Sequence, residues 1–442
     1  MPRLLPFVAL RFVVLTAVCL QACSDSAWSQ ELPPTALQNY VARPEPDFAW
    51  EKLRVVPTAA GSVTELTVTS QKWHDIVWKH AVEIFEPTEL LYPKHAVLFV
   101  TGGSLPLKPV DAGTLALGTS LANTSGMRVV VVHQVPNQPL FDGRYEDDLI
   151  TETWLKYLQD GDETWPLLFP MVKSAVKTMD AVQAFAAEAY DQPIDSFIIT
   201  GASKRGWTSW LTPVADQRVI ATAPMVIDTL NFRKQMQHQI DSWGAFSEQI
   251  KDYSSKGLIV QGEESDRERQ LRLMMDPSTY LEQLQLPKLL VNGTNDPYWV
   301  VDAAGLYWSD LKGPRYALQI PNAGHGLDGG QEKAMRTIGA FARHVASGNP
   351  WPKLSWTFDR AADSHAVTIT TDVTCFSATL WYADSTDLDF RDEDWQSKRL
   401  RELTPNVWTG AFESEQHTAI FAELMFETDG VLYSLCSLVD RR

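Results

Sequence analysis

The stretch Gly201-Ala202-Ser203-Lys204-Arg205-Gly206 decides how this chain is read. It follows the β-branched run Ser196-Phe-Ile-Ile-Thr200 and precedes the helical-looking Trp207-Thr-Ser-Trp-Leu211. Strand, tight small-residue turn and helix together lift a serine hydroxyl clear of a sheet. Gly201 and Ala202 suit a turn where bulkier side chains would collide as the chain folds back. The usual spacing is G-x-S-x-G; here Arg205 takes the second glycine's place and Gly206 follows one position later. An ordinary strand-to-helix turn with a capping serine is the competing reading.

Two downstream segments favour chemistry. Pro287-Lys-Leu-Leu-Val-Asn292 reads as a buried strand and ends in Gly293-Thr-Asn-Asp296-Pro297. Arg315-Tyr-Ala-Leu-Gln-Ile320 reads as another and ends in Pro321-Asn-Ala-Gly-His325-Gly326. An acid and a histidine on loops just past strand ends can both reach across the top of a sheet. The chain order Ser203, Asp296, His325 is that of α/β-hydrolases. A serine hydroxyl needs a base to become a nucleophile, and a histidine needs a carboxylate to fix its tautomer. Asp228, after Ala223-Pro-Met-Val-Ile227, is the alternative acid. A Gly-Gly turn, Thr101-Gly102-Gly103-Ser104, closes the apolar run Ala96-Val-Leu-Phe-Val100. Backbone N–H groups of Lys204 and of Gly102 or Gly103 are the expected oxyanion donors, with Arg205 and Trp207 as candidate substrate contacts.

With these pieces the chain resembles the PhoPQ-activated pathogenicity-related protein family. The stretches that carry the resemblance include Tyr40-Val-Ala-Arg-Pro-Glu-Pro46, Leu66-Thr-Val-Thr-Ser-Gln-Lys-Trp73 and Trp78-Lys-His80. Leu98-Phe-Val-Thr-Gly-Gly-Ser104, Gly201-Ala-Ser-Lys-Arg-Gly-Trp207, Asn292-Gly-Thr-Asn-Asp-Pro297 and Pro321-Asn-Ala-Gly-His325 complete the set. The resemblance implies an α/β-hydrolase core, residues 38–347, with a β-rich C-terminal extension, residues 353–442. It implies a bacterial envelope setting and a link to membrane-active host peptides, and it accommodates Arg205 in the turn. It names no substrate, so ester and peptide bonds both stay open.

The N-terminus reads as a targeting segment. Arg3 and Arg11 precede the apolar core Phe12-Val-Val-Leu-Thr-Ala-Val-Cys-Leu20, and Leu20-Gln21-Ala22-Cys23 reads as a lipobox. Residues 1–22 would then be a lipoprotein signal peptide, with Cys23 acylated; a plain secretory signal cleaved after Ala27 is the alternative. Nine apolar residues are too few for an ordinary membrane span. Ser24 follows Cys23, which points to an outer-membrane lipoprotein facing the periplasm, tethered by residues 23–37. Cys375 and Cys436 remain, and an even pair in an oxidising compartment suggests a disulfide closing about sixty residues; two buried free thiols are the alternative.

Loss of Arg3 and Arg11 would deepen the formal charge from −17 to −19. Such a chain is a poor partner for nucleic acid and favours neutral or cationic small-molecule or peptide substrates. His74, His80 and His95 are scattered without metal-ligand spacing, so neither metal nor cofactor is expected. Residues 50–135 alternate strand-like runs with turns, and Pro170–Tyr190 has helical periodicity. Strand and helix then alternate, as in a parallel sheet covered on both faces. The polar segment 229–286 interrupts that rhythm and reads as a cap-like insertion; Trp243, Phe246 and the pair Glu263-Glu264 within it are possible pocket residues. After Ser347-Gly-Asn-Pro-Trp-Pro352 come six short alternating or aromatic runs, the pattern of a small β-sandwich.

Overall fold

In the computed structural model, residue 1 and residues 33–58, 60–108 and 110–442 are described. The expected signal peptide, Cys23 and most of the tether lie outside these residues. The tether's last residues do not behave as a linker. Ala36 and Leu37 open helix α1 (Ala36–Val41) and are buried against the core.

Three antiparallel strands follow: β1 (Ala49–Thr58), β2 (Gly61–Trp73) and β3 (Ile76–Pro87). The chain then alternates: β4 (His95–Val100), α2 (Ala112–Ser125), β5 (Arg128–Val132), α3 (Glu146–Asp160), α4 (Leu168–Ala189), β6 (Ser196–Ala202), α5 (Lys204–Ala215) and β7 (Val219–Met225). Short helices α6 (Phe232–Trp243), α7 (Lys251–Ser254) and α8 (Asp266–Met275) separate β7 from β8 (Lys288–Gly293). β9 (Arg315–Ile320) and α9 (Gln331–Ser347) complete this part.

The strands line up in the order β1-β2-β3-β5-β4-β6-β7-β8-β9, with β5 through β9 parallel. From β2 onward this is the α/β-hydrolase sheet. Its central strands are buried at nearly every position and mostly apolar because both faces are covered. Along β4, Ala96, Leu98 and Val100 join one core with α4 and α5, while Val97 and Phe99 join a second with α2 and α9. The alternation is the two-residue period of a strand.

Residues 354–442 supply β10 (Leu354–Arg360), β11 (Ser364–Thr371), β12 (Ser377–Ser385), β13 (Gln396–Arg399), β14 (Arg401–Thr404), β15 (Val407–Glu413), β16 (His417–Thr428), β17 (Val431–Cys436) and β18 (Asp440–Arg441). A sandwich is present, but it shares a sheet with the core. β10, β11, β15 and β14 form a separate antiparallel sheet, whereas β17, β16, β12 and β13 continue the central sheet beyond β9. The join is a single antiparallel pairing, Cys436 opposite Ala317.

The expected disulfide is absent. Cys375 and Cys436 are both free and buried. Cys436 pairs with Glu423 on β16, and Glu423 pairs with Thr379 on β12, four residues beyond Cys375. The thiols are thus separated by two strand spacings, about 10 Å, and by about 13 Å along the strand. A disulfide bridges Cα atoms no more than about 7 Å apart. Cys436 instead accepts the Gln319 N–H at 3.4 Å.

Among the described residues no helix is long and apolar enough to cross a membrane, and no three His, Cys, Asp or Glu side chains converge as metal ligands.

Candidate active site

Ser203 caps α5 with φ 58° and ψ −127°. A side chain at positive φ is strained by roughly 1–3 kcal/mol and persists only where packing imposes it. Here the Ser203 N–H is tied to Met225 O at 2.9 Å, and its carbonyl accepts from Trp207. The glycines make the turn possible. A Cβ on Gly201 would sit 2.7 Å from Arg205 O, and one on Gly206 would meet Ile227 Cγ2 at 2.6 Å and Met225 O at 2.9 Å. The helix crosses the end of β7 at position 206, so the second glycine is needed there and position 205 is free to carry a side chain.

Asp296 and His325, on the loops after β8 and β9, come together with Asp296 Oδ2 2.8 Å from His325 Nδ1. Asp296 is buried, and its other oxygen accepts the Tyr298 N–H at 2.8 Å. The Tyr298 ring stacks on the imidazole with centroids 4.1 Å apart. His325 Nε2 is buried and has no hydrogen-bond partner among the described residues. Ser203 and His325 line one cleft of about 410 Å³, together with Asp147, Trp207, Tyr253 and Trp299.

Asp228 is placed differently. It is fully buried, with one oxygen accepting from Asn292 Nδ2 at 2.9 Å and the other from the Tyr307 hydroxyl. Burial, with the charge of Asp296 adding to it, pushes its carboxyl up to about 6 against those two hydrogen bonds. It does not hold His325.

The register of β4 on β6, Val100 opposite Gly201, carries on to bring Gly102 beside the turn. A Cβ on Gly102 would lie 2.5 Å from Arg205 Nη2, so the glycine lies flat against the guanidinium. Its carbonyl accepts from Gln134 N, while the Gly103 carbonyl accepts from Gln138 Nε2. Neither glycine's N–H has a partner among the described residues, nor does that of Lys204 at the first position of α5.

Arg205 is engaged within the protein. Its Nη1 and Nη2 donate to the two oxygens of Glu146 at 2.7 and 2.8 Å, and Nε donates to Val135 O at 2.6 Å. Lys204 Nζ reaches the same carboxylate at 2.9 Å and Asp147 at 3.5 Å. Burial opposes ionisation of Glu146, but the Arg205 hydrogen bonds and charge, with Lys204 and Gln138, outweigh it and hold the carboxyl well below its usual range. Arg205 thereby fastens the first turn of α3 and the loop after β5 to the serine turn. Trp207 does line the cleft, with its indole N–H donating to Met275 O at 2.6 Å.

The segment between β7 and β8 covers the cleft. Thr229, Phe232, Ile250 and Tyr253 form part of its wall, and Tyr253 donates to Asp147 at 3.1 Å. Trp243 instead lies under Arg391, whose guanidinium is 4.0 Å from the ring centroid. Glu264 pairs with Arg272 and Arg233 away from Ser203. His80 is structural: its ring nitrogens meet Ser70 Oγ and His133 O, and burial pushes it down to about 4.

The C-terminal strands reach the same loops. Asn295, beside Asp296, donates to the carbonyls of Arg391 and Glu393 at 2.9 and 2.8 Å. Asn322, three residues before His325, exchanges two hydrogen bonds with the backbone of Trp395, at 2.9 and 2.7 Å.

Residues 37–391 match the model of the PhoPQ-activated pathogenicity-related protein family. The chain belongs to that family. It is 33% identical over 352 residues to autocrine proliferation repressor protein A of Dictyostelium discoideum, covering 76% of this chain and 70% of that protein. Solved structures that it is similar to include acetyl xylan esterase 1 from Thermoanaerobacterium sp. JW/SL YS485, at 14% identity and a TM-score of 0.49 over 72% of this chain and 95% of that one. Another is an acetyl xylan esterase from Paenibacillus sp. R4, at 15% identity and a TM-score of 0.45 over 69% and 91%.

This family member is a hydrolase-fold protein whose cleft holds residues that motif reading missed. Tyr298 and Trp299 follow Asp296-Pro297 directly, and proximity to the acid was their only signal. Glu146 and Asp147 sit in an acidic run, Glu146-Asp-Asp148, that reads as a plain helix start. Their partners Lys204 and Arg205 are far away in sequence, so only the fold reveals the pairing.

Proposed function

We propose that the protein is a serine hydrolase that cleaves an ester or amide bond. Ser203 Oγ attacks the carbonyl carbon and passes its proton to His325 Nε2. Asp296 orients the imidazole through Nδ1 and stabilises its charged form. The oxygen that becomes negative accepts from the Lys204 N–H and from the Gly102 or Gly103 N–H; each such donor is worth roughly 3 kcal/mol. The tetrahedral centre collapses, and the leaving group departs with the proton from His325. Water then repeats the cycle: its proton goes to His325, the acyl–Ser203 bond breaks, and the proton returns to Ser203.

The observation that carries this reading is the 2.8 Å contact of His325 Nδ1 with Asp296, which leaves Nε2 free in the cleft that also holds Ser203. A fluorophosphonate followed by mass spectrometry tests it. The expected result is one adduct, on Ser203, missing from Ser203→Ala. A folded protein that takes no adduct overturns the reading and leaves a hydrolase-fold binding protein.

The proposal extends to location. A lipid on Cys23 would hold the enzyme at the outer membrane facing the periplasm, where its acidic surface would favour neutral or cationic substrates, cationic host peptides among them. Metabolic labelling with an alkynyl fatty acid, lost in Cys23→Ala, is the expected result; equal labelling of both proteins refutes the anchor.

A further inference from the structure

A second cavity, of about 630 Å³, lies under the inserted segment. It shares two wall residues, Trp207 and Phe232, with the cleft of Ser203. Trp207 stands four residues along α5 from Ser203, one helical turn, so the two side chains are about 6 Å apart at Cβ. Apolar side chains from three helices make up much of the remaining wall. Trp154 comes from α3, Met236 from α6, and Leu271 and Met275 from α8. The two methionines are unbranched and adapt to varied shapes.

One wall is unusual in sequence. Leu258-Ile-Val260 is an apolar tripeptide flanked by Ser254-Ser-Lys-Gly257 and Gln261-Gly-Glu-Glu-Ser265, outside any helix or strand, and all three residues are only half-buried. Three adjacent apolar side chains left half-open on a covering loop fit a surface kept for a ligand. The charges at the cavity are already matched. Glu264 accepts from Arg272 Nε at 2.8 Å and pairs with Arg233 at 3.3 Å. Asp276 accepts the N–H groups of Asn231, Phe232 and Ser278. Glu268, the third carboxylate of the wall, accepts from the Ser265 N–H and hydroxyl at 2.8 and 2.7 Å.

We propose that this cavity seats an uncharged aliphatic or aromatic group carried by the substrate, so that the enzyme selects esters or amides with a sizeable apolar chain or ring beside the scissile carbonyl. The assignment rests on Ser203 being the nucleophile. Phe232 and Trp207 form the threshold between reaction centre and chain pocket.

The test uses the full chain, its Ser203→Ala form and Ile259→Asp, which places a charge on the covering loop. Leu271→Phe, which fills the pocket with an apolar ring, is the second variant in case the first misfolds. Binding is read with the neutral fluorophore N-phenyl-1-naphthylamine and its displacement by octanol. Catalysis is read on 4-nitrophenyl esters from acetyl to octanoyl, and on acetate esters of lengthening alcohols. Binding should survive in Ser203→Ala and weaken about 10-fold in Ile259→Asp. For the wild type, kcat/KM should rise at least ~10-fold along one of the two ester series, the range a hydrophobic pocket commands. The series that rises identifies the side of the carbonyl that enters the pocket, and either variant should flatten it. A flat profile with no fluorophore binding, in a protein whose Ser203 takes the fluorophosphonate, overturns the pocket and leaves the nucleophile standing. Fluorophore binding without any adduct on Ser203 overturns the nucleophile, and the substrate assignment falls with it.

Discussion

Asp296 lies 2.8 Å from His325 Nδ1, while Asp228, at the end of the neighbouring strand, is taken by Asn292 and Tyr307. The two acids are therefore not interchangeable. Asp296→Asn should lower kcat/KM by about 10⁴, because the amide holds the wrong imidazole tautomer. Asp228→Asn should cost less than about 10-fold. Steady-state kinetics on one chromogenic ester decide this, and the reverse ranking would move the orienting role to Asp228.

The same buried acid predicts a pH dependence of stability. An unfolded aspartate ionises near ~3.9, and folded Asp228 is pushed up to about 6. Its folded value is raised, so between these limits the unfolded chain has released a proton that the folded chain keeps. The contribution of this group falls as pH rises through the window, by at most about 3 kcal/mol. Buried His80, pushed down to about 4, acts in the opposite sense across this window, so the slope is read as the difference between wild type and Asp228→Asn in urea midpoints at pH 4.5 and 6.5, and Asp228→Asn should gain relative stability as pH rises. Glu146 acts in the opposite sense, with stability lost as pH falls below about 4.3, outside most of that window.

Arg205 should be judged by stability as well as by rate. Arg205→Gly would restore the common G-x-S-x-G spacing, yet it abandons Glu146, Val135 O and the flat face of Gly102. The expected loss is roughly 2 kcal/mol, less than for a fully enclosed pair, because Glu146 is partly open to water. A lowered Tm together with a weaker kcat/KM is the predicted outcome. A variant as stable as the parent would show that the fork does not fasten α3.

The thiols give a simple chemical check. Cys436 is fully enclosed, and burial pushes its thiol up to about 12. Iodoacetamide should leave Cys375 and Cys436 unmodified in the native protein and alkylate both in guanidinium without reductant. A Cys375–Cys436 linked peptide under those conditions would contradict the strand register described above.

What could be read in advance depended on how local each signal was. The serine turn, the Asp296 loop and the His325 loop each follow an apolar strand within a few residues, so their positions in the parallel sheet were legible. The pairings that fix the site join distant segments: Glu146 with Arg205, Tyr253 with Asp147, Asn295 and Asn322 with residues 391–395. No periodicity reports such contacts. β13 and β14 were missed because they are exposed on every residue and polar except at Leu403, which removes the alternation that marks a strand. The two cysteines misled because compartment argues for oxidation while strand register forbids it.

The single pairing of Cys436 with Ala317 makes β9 an inner strand rather than a border. A chain cut after α9 would expose the backbone groups of β9 along one whole side, an open template for pairing with another molecule. It would also free the loops that hold Asp296 and His325 from Asn295 and Asn322 outward. Aggregation and inactivity would then arrive together, so the C-terminal strands are not a removable accessory. They act as the selvedge of the fabric, and no shorter version of this fold is to be had by trimming there.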